Sequence, residues 1–453
     1  MNQLIRQIIQ DFDLSLYKPI LPRELNLETP LTPRAGNLAT VIMGIRRSGK
    51  TYRLFQEMQS LLDSGIDSSR ILYFNFEDDR LAPITTQTGD DVLHEFFEVN
   101  PASQRDGCYI FFDEIQEMSH WDIWLRRIID TTKATIYVTG SSSKLLSEEI
   151  ATAFRGRSLA YEMTPFSFRE FVLYHQPQLL TQTRNPQDWS STDKNLAKNL
   201  FNDYLTRGGF PAIQDVSSER LILTLQGYAQ RVVAKDVLER HNLSNPQAVS
   251  LLTSRALTYS GRDFSMRKTV DTFVSQGIKI SRVSATAALN YLEDAFLIHK
   301  ITDYSRALSS SPASTYKIYA EDPGLVYANS SASSNDIAQR LETAIYLELR
   351  RRAFTSRNNS VSSLHTRTHG YEIDFAVGDV IANSSLQLFQ VSVHIDDEKT
   401  REREMRALEE AMHEYHTKES ILLIHDGQRE DVTTHDKTVI HIIPAWMWCL
   451  EGK

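Results

Sequence analysis

The distribution of apolar and polar positions changes character along this chain. The first third alternates short apolar runs with amphipathic segments, the middle is mainly helical in period, and a second alternation closes the sequence. Leu4, Ile5, Ile8 and Ile9 share one helical face in an N-terminal arm, residues 1–36, whose proline-containing remainder reads as irregular. Predominantly apolar runs at 38–43, 71–76, 108–112, 135–139 and 159–163 have the length of buried strands. Between them, Leu54, Met58, Leu61 and Leu62 recur at helical spacing, as do Trp121, Trp124, Leu125 and Ile128. Strands alternating with helices predict an α/β unit over 37–164, with a parallel sheet that binds its ligand at the carboxyl edge of the strands.

Residues 165–247 read as a helical region broken at Gly208-Gly209-Phe210-Pro211. Over 248–330 the pattern gives three short helices, the second at 264–275 and the third at 281–292, followed by strands at 298–304 and 316–319. Helix–turn–helix with a two-stranded wing is the economical interpretation. A serine-rich junction at 330–334 precedes a last unit, 336–453. That unit has helices at 337–352 and 399–415, strands at 371–377, 386–393 and 421–424, and an apolar end through Trp446 and Trp448.

Composition narrows the class. The 453 residues are 41% hydrophobic and 24% charged, as in globular proteins of several domains, and no apolar run approaches a membrane span. Only Cys108 and Cys449 are present, and acids interrupt the N-terminus before a signal core forms, so a cytoplasmic setting is expected. A net charge of −9 confines any nucleic-acid contact to a local patch.

The chemistry is concentrated at strand ends. Gly44-Ile45-Arg46-Arg47-Ser48-Gly49-Lys50-Thr51 fits the phosphate-binding loop at every fixed position and lies between a strand and a helix. Its glycines free the backbone N–H groups to face phosphates; Lys50 would reach the β- and γ-phosphates of ATP, and the Thr51 hydroxyl would ligate Mg²⁺. Phe111-Phe112-Asp113-Glu114 has the Walker B form, with Asp113 as a metal residue and Glu114 placed to polarise the attacking water. Thr139 and Ser141, at the next strand end, are candidates to contact the γ-phosphate or that water. Arg155 and Arg157 are candidate arginine fingers, with a solvated basic turn as the alternative; Arg46 and Arg47 could touch nucleotide or a partner.

Taken with Phe112-Asp113-Glu114-Ile115-Gln116, Thr139-Gly140-Ser141-Ser142-Ser143, Arg155-Gly156-Arg157, Gly208-Gly209-Phe210-Pro211, Tyr291-Leu292-Glu293-Asp294-Ala295-Phe296-Leu297 and Tyr371-Glu372-Ile373-Asp374-Phe375, the loop makes the chain resemble AAA-type ATPases. These are the ones that carry an AAA_14 domain followed by a DUF4143 domain. The resemblance runs from about residue 20 to the C-terminus. It implies a P-loop NTPase sheet with a helical extension, a winged helix, and a C-terminal α/β domain of restriction-endonuclease-like fold.

That last domain raises the question of a nuclease. The pattern needs acidic metal ligands and a lysine; here Glu342 and Asp374 stand in place, but the third element reads Gln390-Val391-Ser392. The winged unit raises the question of DNA: Lys279, Arg282 and their basic neighbours slightly outnumber its acids, while the alanine-rich helix at 281–292 suits packing equally well. The leading expectation is an ATPase that moves these modules, on DNA, on a protein partner or within a homo-oligomer, and without membrane contact. An ATP-dependent DNA nuclease and a slow-turnover ATP-binding signalling or scaffold switch are the alternatives.

Overall fold

The computed structural model describes residues 2–28, 31–141, 158–182, 185–241, 243, 245–304, 315–330, 337–354, 360–378 and 386–451. Two compact units account for the chain, one of Met1–Thr164 with Asp294–Phe296, the other of Pro165–Glu293 with Leu297–Lys453.

The first unit is built on five strands: β1 (Ala39–Met43), β2 (Ile71–Asn75), β3 (Cys108–Asp113), β4 (Ala134–Gly140) and β5 (Ser158–Glu162). All pair in parallel in the order β2-β3-β4-β1-β5. Every residue of β3 and β4 is buried, which explains why those strands read as apolar throughout rather than alternating. On one face the helix Lys50–Asp63 buries Leu54, Phe55, Met58 and Leu61 against Ile42, Phe111 and Tyr137. Phe111 and Tyr137, side by side on adjacent strands, stack with ring centroids 4.7 Å apart. The N-terminal helix Asn2–Asp11 is joined to the helix Thr86–Val99 by an ion pair, Arg6 Nε to Glu95 Oε2 at 2.6 Å.

The second unit opens with helices Phe168–His175, Ser191–Arg207 and Ser218–Val232. The glycine break between the last two has a packing cause. A Cβ on Gly208 (φ +82°) would fall 1.9 Å from Asp322 Oδ1, and one on Gly209 would fall 2.3 Å from the Phe166 carbonyl. The buried Asp322 carboxylate accepts the Gly209 N–H at 2.6 Å and the Gly324 N–H at 2.8 Å. It caps the helix Pro323–Asn329, and burial pushes its pKa up to about 7.

Helices Pro246–Thr258, Met266–Ser275 and Arg282–Asp294 follow, with a three-stranded antiparallel sheet of β6 (Arg262–Ser265), β7 (Ile298–Ile301) and β8 (Thr315–Ala320) in the order β6-β8-β7. Two strands were expected here. The third is short and half exposed, and it takes Phe264 and Ser265 from the start of the expected second helix.

The last six strands are β9 (Ser360–His365), β10 (Glu372–Gly378), β11 (Gln387–Ser392), β12 (Glu419–Ile424), β13 (Glu430–Thr433) and β14 (Val439–Pro444). They form one mixed sheet in the order β13-β14-β12-β11-β10-β9, flanked by helices Ile337–Phe354, Glu398–Tyr415 and Ala445–Leu450. The apolar end resolves into β14 and a wholly buried helix that carries Trp446 and Trp448. No helix of the described residues is long and apolar enough to cross a membrane.

Candidate nucleotide-binding site

After Met43 the chain must turn at once into a helix. Gly44 sits at φ +150°, and a Cβ there would fall 2.1 Å from the Met163 carbonyl oxygen beside β1. Arg47 (φ +69°) and Gly49 (φ +102°) are left-handed, and the helix starts at Lys50. Lys50 is 3% exposed; its ammonium donates to the Gly44 carbonyl at 3.0 Å and the Ile45 carbonyl at 3.2 Å, and lies 3.7 Å from Glu114 Oε1. The Ser48 hydroxyl is buried with no hydrogen-bond partner among the described residues. Arg23 of the N-terminal arm braces the loop from outside, donating to the Ser48 and Thr164 carbonyls, each at 2.8 Å.

Strand order brings the acids to the loop. β4 lies between β1, which carries the loop, and β3, which carries the acids, so Thr139 at the end of β4 reaches both neighbours. Its hydroxyl donates to Asp113 Oδ1 and accepts the Glu114 N–H at 2.9 Å. Asp113 Oδ2 accepts the Thr51 hydroxyl at 2.7 Å and the Tyr73 hydroxyl at 3.0 Å. Burial raises the Asp113 pKa and the charge of Glu114 adds to it, while the three hydroxyls work the other way. Glu114 stands at φ +50°, and the Gln116 amide donates to its other oxygen.

These groups fit a metal-bound phosphate. A buried lysine held by two carbonyls beside one carboxylate, a serine hydroxyl without a hydrogen-bond partner among the described residues and a threonine hydroxyl resting on an aspartate are donors and ligands suited to phosphate oxygens and to a hard cation.

The structure thus brings Gly44, Ile45, Ser48, Gly49, Lys50, Thr51, Asp113, Glu114 and Thr139 into one place, with Ser141 buried at the end of β4. Arg46 is engaged by two carboxylates, Glu77 at 2.9 Å and Glu117 at 3.5 Å. Arg155 and Arg157, with Ser142 and Ser143, lie outside the described residues. Tyr73 and Arg23 were not anticipated: a tyrosine in a strand and an arginine in an irregular arm carry no spacing that would mark them.

In the second unit Glu342 and Asp374 do meet, around a lysine that the sequence reading did not find. Lys317 of β8 places its ammonium 3.2 Å from Glu342 Oε1, 2.5 Å from Glu372 Oε1 and 3.4 Å from Asp374 Oδ1. Burial works to lower the Lys317 pKa, but the three carboxylates outweigh it and the group is held above the lysine range. Burial, then the charge of Glu342, pushes Asp374 up to about 7.

Set beside known proteins, this geometry has relatives. The family model described as an AAA domain (AAA_14) matches residues 36–172, and a domain of unknown function (DUF8612) matches residues 198–336. It is DUF8612 that the comparison finds after the AAA domain, and not the expected DUF4143. The match and the parallel sheet together define the N-terminal unit as a P-loop fold of AAA type.

The chain is 32% identical to the uncharacterized protein MJ1544 of Methanocaldococcus jannaschii over 448 residues, 98% of this chain and 94% of that one, and it belongs to the same family. An uncharacterized protein of Haemophilus influenzae is 27% identical over 338 residues, 75% of this chain and 80% of its own. Among solved structures, the Walker-type ATPase PABY2304 of Pyrococcus abyssi aligns over 64% of this chain and 90% of its own, at 17% identity and a TM-score of 0.41.

Proposed function

We propose that this protein is a Mg²⁺-dependent ATP hydrolase whose nucleotide cycle drives its C-terminal modules. The observation that carries the reading is the meeting of Lys50, Thr51, Asp113 and Glu114 at the edge of the sheet. Thr51 and Asp113 would hold Mg²⁺, which when bound supplies charge neutralisation at the β- and γ-phosphates. On phosphate entry, Lys50 would exchange the Gly44 and Ile45 carbonyls for phosphate oxygens. Ser48 would gain a partner for the hydroxyl that has none among the described residues.

Glu114 would orient a water on the γ-phosphorus and accept its proton as the new P–O bond forms and the bond to the β–γ bridging oxygen breaks. Thr139, fixed between Asp113 and the Glu114 N–H, would keep the two acids in register. Arg155 or Arg157 would act as a finger, in the same chain or across a homo-oligomer.

Downstream, we take the three helices and three strands of 246–320 as a winged helix, a reading supported by their order along the chain. On its third helix the alanines Ala285 and Ala288 are buried in the unit, which leaves Arg282, Val283, Ser284 and Thr286 exposed beside Lys279. That face is the reading's DNA contact.

Binding of ATP with Mg²⁺ by the full-length protein, by calorimetry, tests the reading at its first step. Lys50→Ala should weaken binding at least tenfold; unchanged affinity would remove the loop from the account.

A further inference from the structure

The acids at Glu342, Glu372 and Asp374 stand where a divalent cation would be sought, yet their surroundings are already committed. Glu372 and Asp374 share one face of β10, two residues apart, and Glu342 comes from the helix Ile337–Phe354. All three point at one nitrogen on a different sheet, the Lys317 ammonium of β8. An ammonium has three protons to give, and here there are three carboxylates to take them.

Two of the carboxylates also take protein donors. Tyr319, two residues from Lys317 on the same face of β8, donates to Glu342 Oε1 at 2.7 Å. The Val391 N–H donates to Asp374 Oδ2 at 2.9 Å. Gln390 is turned away from the centre: its carbonyl accepts the Asp374 N–H at 3.2 Å and its amide donates to Glu404 Oε2 at 2.8 Å.

We propose that Lys317 is the resident cation of Glu342, Glu372 and Asp374, a clasp that ties the three-stranded sheet to the C-terminal sheet and fills the position a divalent metal would need. A metal would have to displace a buried ammonium only 6% exposed, or sit beside it against like charge. Withdrawing the ammonium leaves three converging carboxylates, which is a hard-cation site. On this proposal the ammonium is too close to all three carboxylates to act as a lysine standing beside a bound metal, and the cluster holds no divalent cation while β8 keeps Lys317 in place.

Manganese binding and melting of the full-length protein, without nucleotide, test this. Wild type should bind no more Mn²⁺ than Asp374→Asn, and millimolar Mn²⁺ should shift the melting of both equally. Lys317→Ala should melt lower, bind one further Mn²⁺ per chain, and recover several degrees with it; Lys317→Ala/Asp374→Asn should lose that gain. A Mn²⁺ in wild type that Asp374→Asn or Glu342→Gln abolishes would overturn the proposal, as would a folded Lys317→Ala that gains none. If Lys317→Ala does not fold, Lys317→Met is compared with Lys317→Met/Glu342→Gln. The double variant should melt higher, because one unneutralised acid has gone, and failure to do so also overturns the clasp.

Discussion

The Thr51 hydroxyl donates to Asp113 Oδ2 across 2.7 Å, joining the first turn of the loop helix to the end of a strand two places away in the sheet. A third group shares that oxygen: the Tyr73 hydroxyl, at 3.0 Å. Tyr73 bears on the site through this hydrogen bond, so its effect would pass through Asp113. In Tyr73→Phe the carboxylate loses one of the donors that fix its orientation, and outer partners of a metal ligand are worth about tenfold or more in affinity. The Mg²⁺ concentration for half-maximal turnover should rise about tenfold, with little loss of melting temperature. A superimposable Mg²⁺ titration would contradict this.

Two glycines of the first unit make a matched pair. Gly44 and Gly65 both have positive φ, but a Cβ on Gly44 meets the Met163 carbonyl at 2.1 Å whereas one on Gly65 meets nothing within 4 Å. Gly65→Ala should cost about 1–2 kcal/mol, the left-handed penalty alone. Gly44→Ala adds a backbone collision, so at least twice that loss is expected in denaturant melts, together with loss of ATP binding. Equal losses would mean the loop moves aside freely.

Burial, as the largest cause, holds Asp322 at about 7 in the folded chain, above its ordinary value of 3.8. The folded state therefore binds more protons than the unfolded between those values. Stability from this group is greatest at low pH and falls as pH rises from about 4 to about 7, at most about 1.4 kcal/mol per pH unit, then levels off. Asp322→Asn should remove this component, so the difference in unfolding free energy between wild type and variant should change across that window. A difference constant with pH would refute the assignment.

The central parallel strands β3 and β4 were legible because each is buried on both faces and so appears as a mainly apolar run, with its acid or hydroxyl at the end. Strands of the second unit were harder. β9 reads Ser-Val-Ser-Ser-Leu-His, β13 is an exposed edge of Glu-Asp-Val-Thr, and β6 has four residues, none of which carries a period. The phosphate loop could be read because its geometry is local to eight residues. Lys317 could not, since it lies 25 residues from Glu342 and 57 from Asp374, and only the packing of β8 against the C-terminal sheet joins them.

If the exposed face around Lys279 and Arg282 meets DNA, each cation that neutralises a phosphate contributes about one unit to the slope of log affinity against log salt. Lys279→Ala and Arg282→Ala should each flatten that slope by about one, on duplexes of any sequence. Binding insensitive to both changes, or to salt, would place any DNA contact elsewhere.

The central claim is that Glu114 acts on the attacking water while the loop and Asp113 hold the nucleotide. Single-turnover hydrolysis of ATP with Mg²⁺, measured for wild type and Glu114→Gln alongside binding of the same nucleotide, tests it most directly. The account predicts binding within about threefold of wild type and hydrolysis slowed by at least about a hundredfold, the usual scale for loss of a general base. Hydrolysis by Glu114→Gln at the wild-type rate would contradict it.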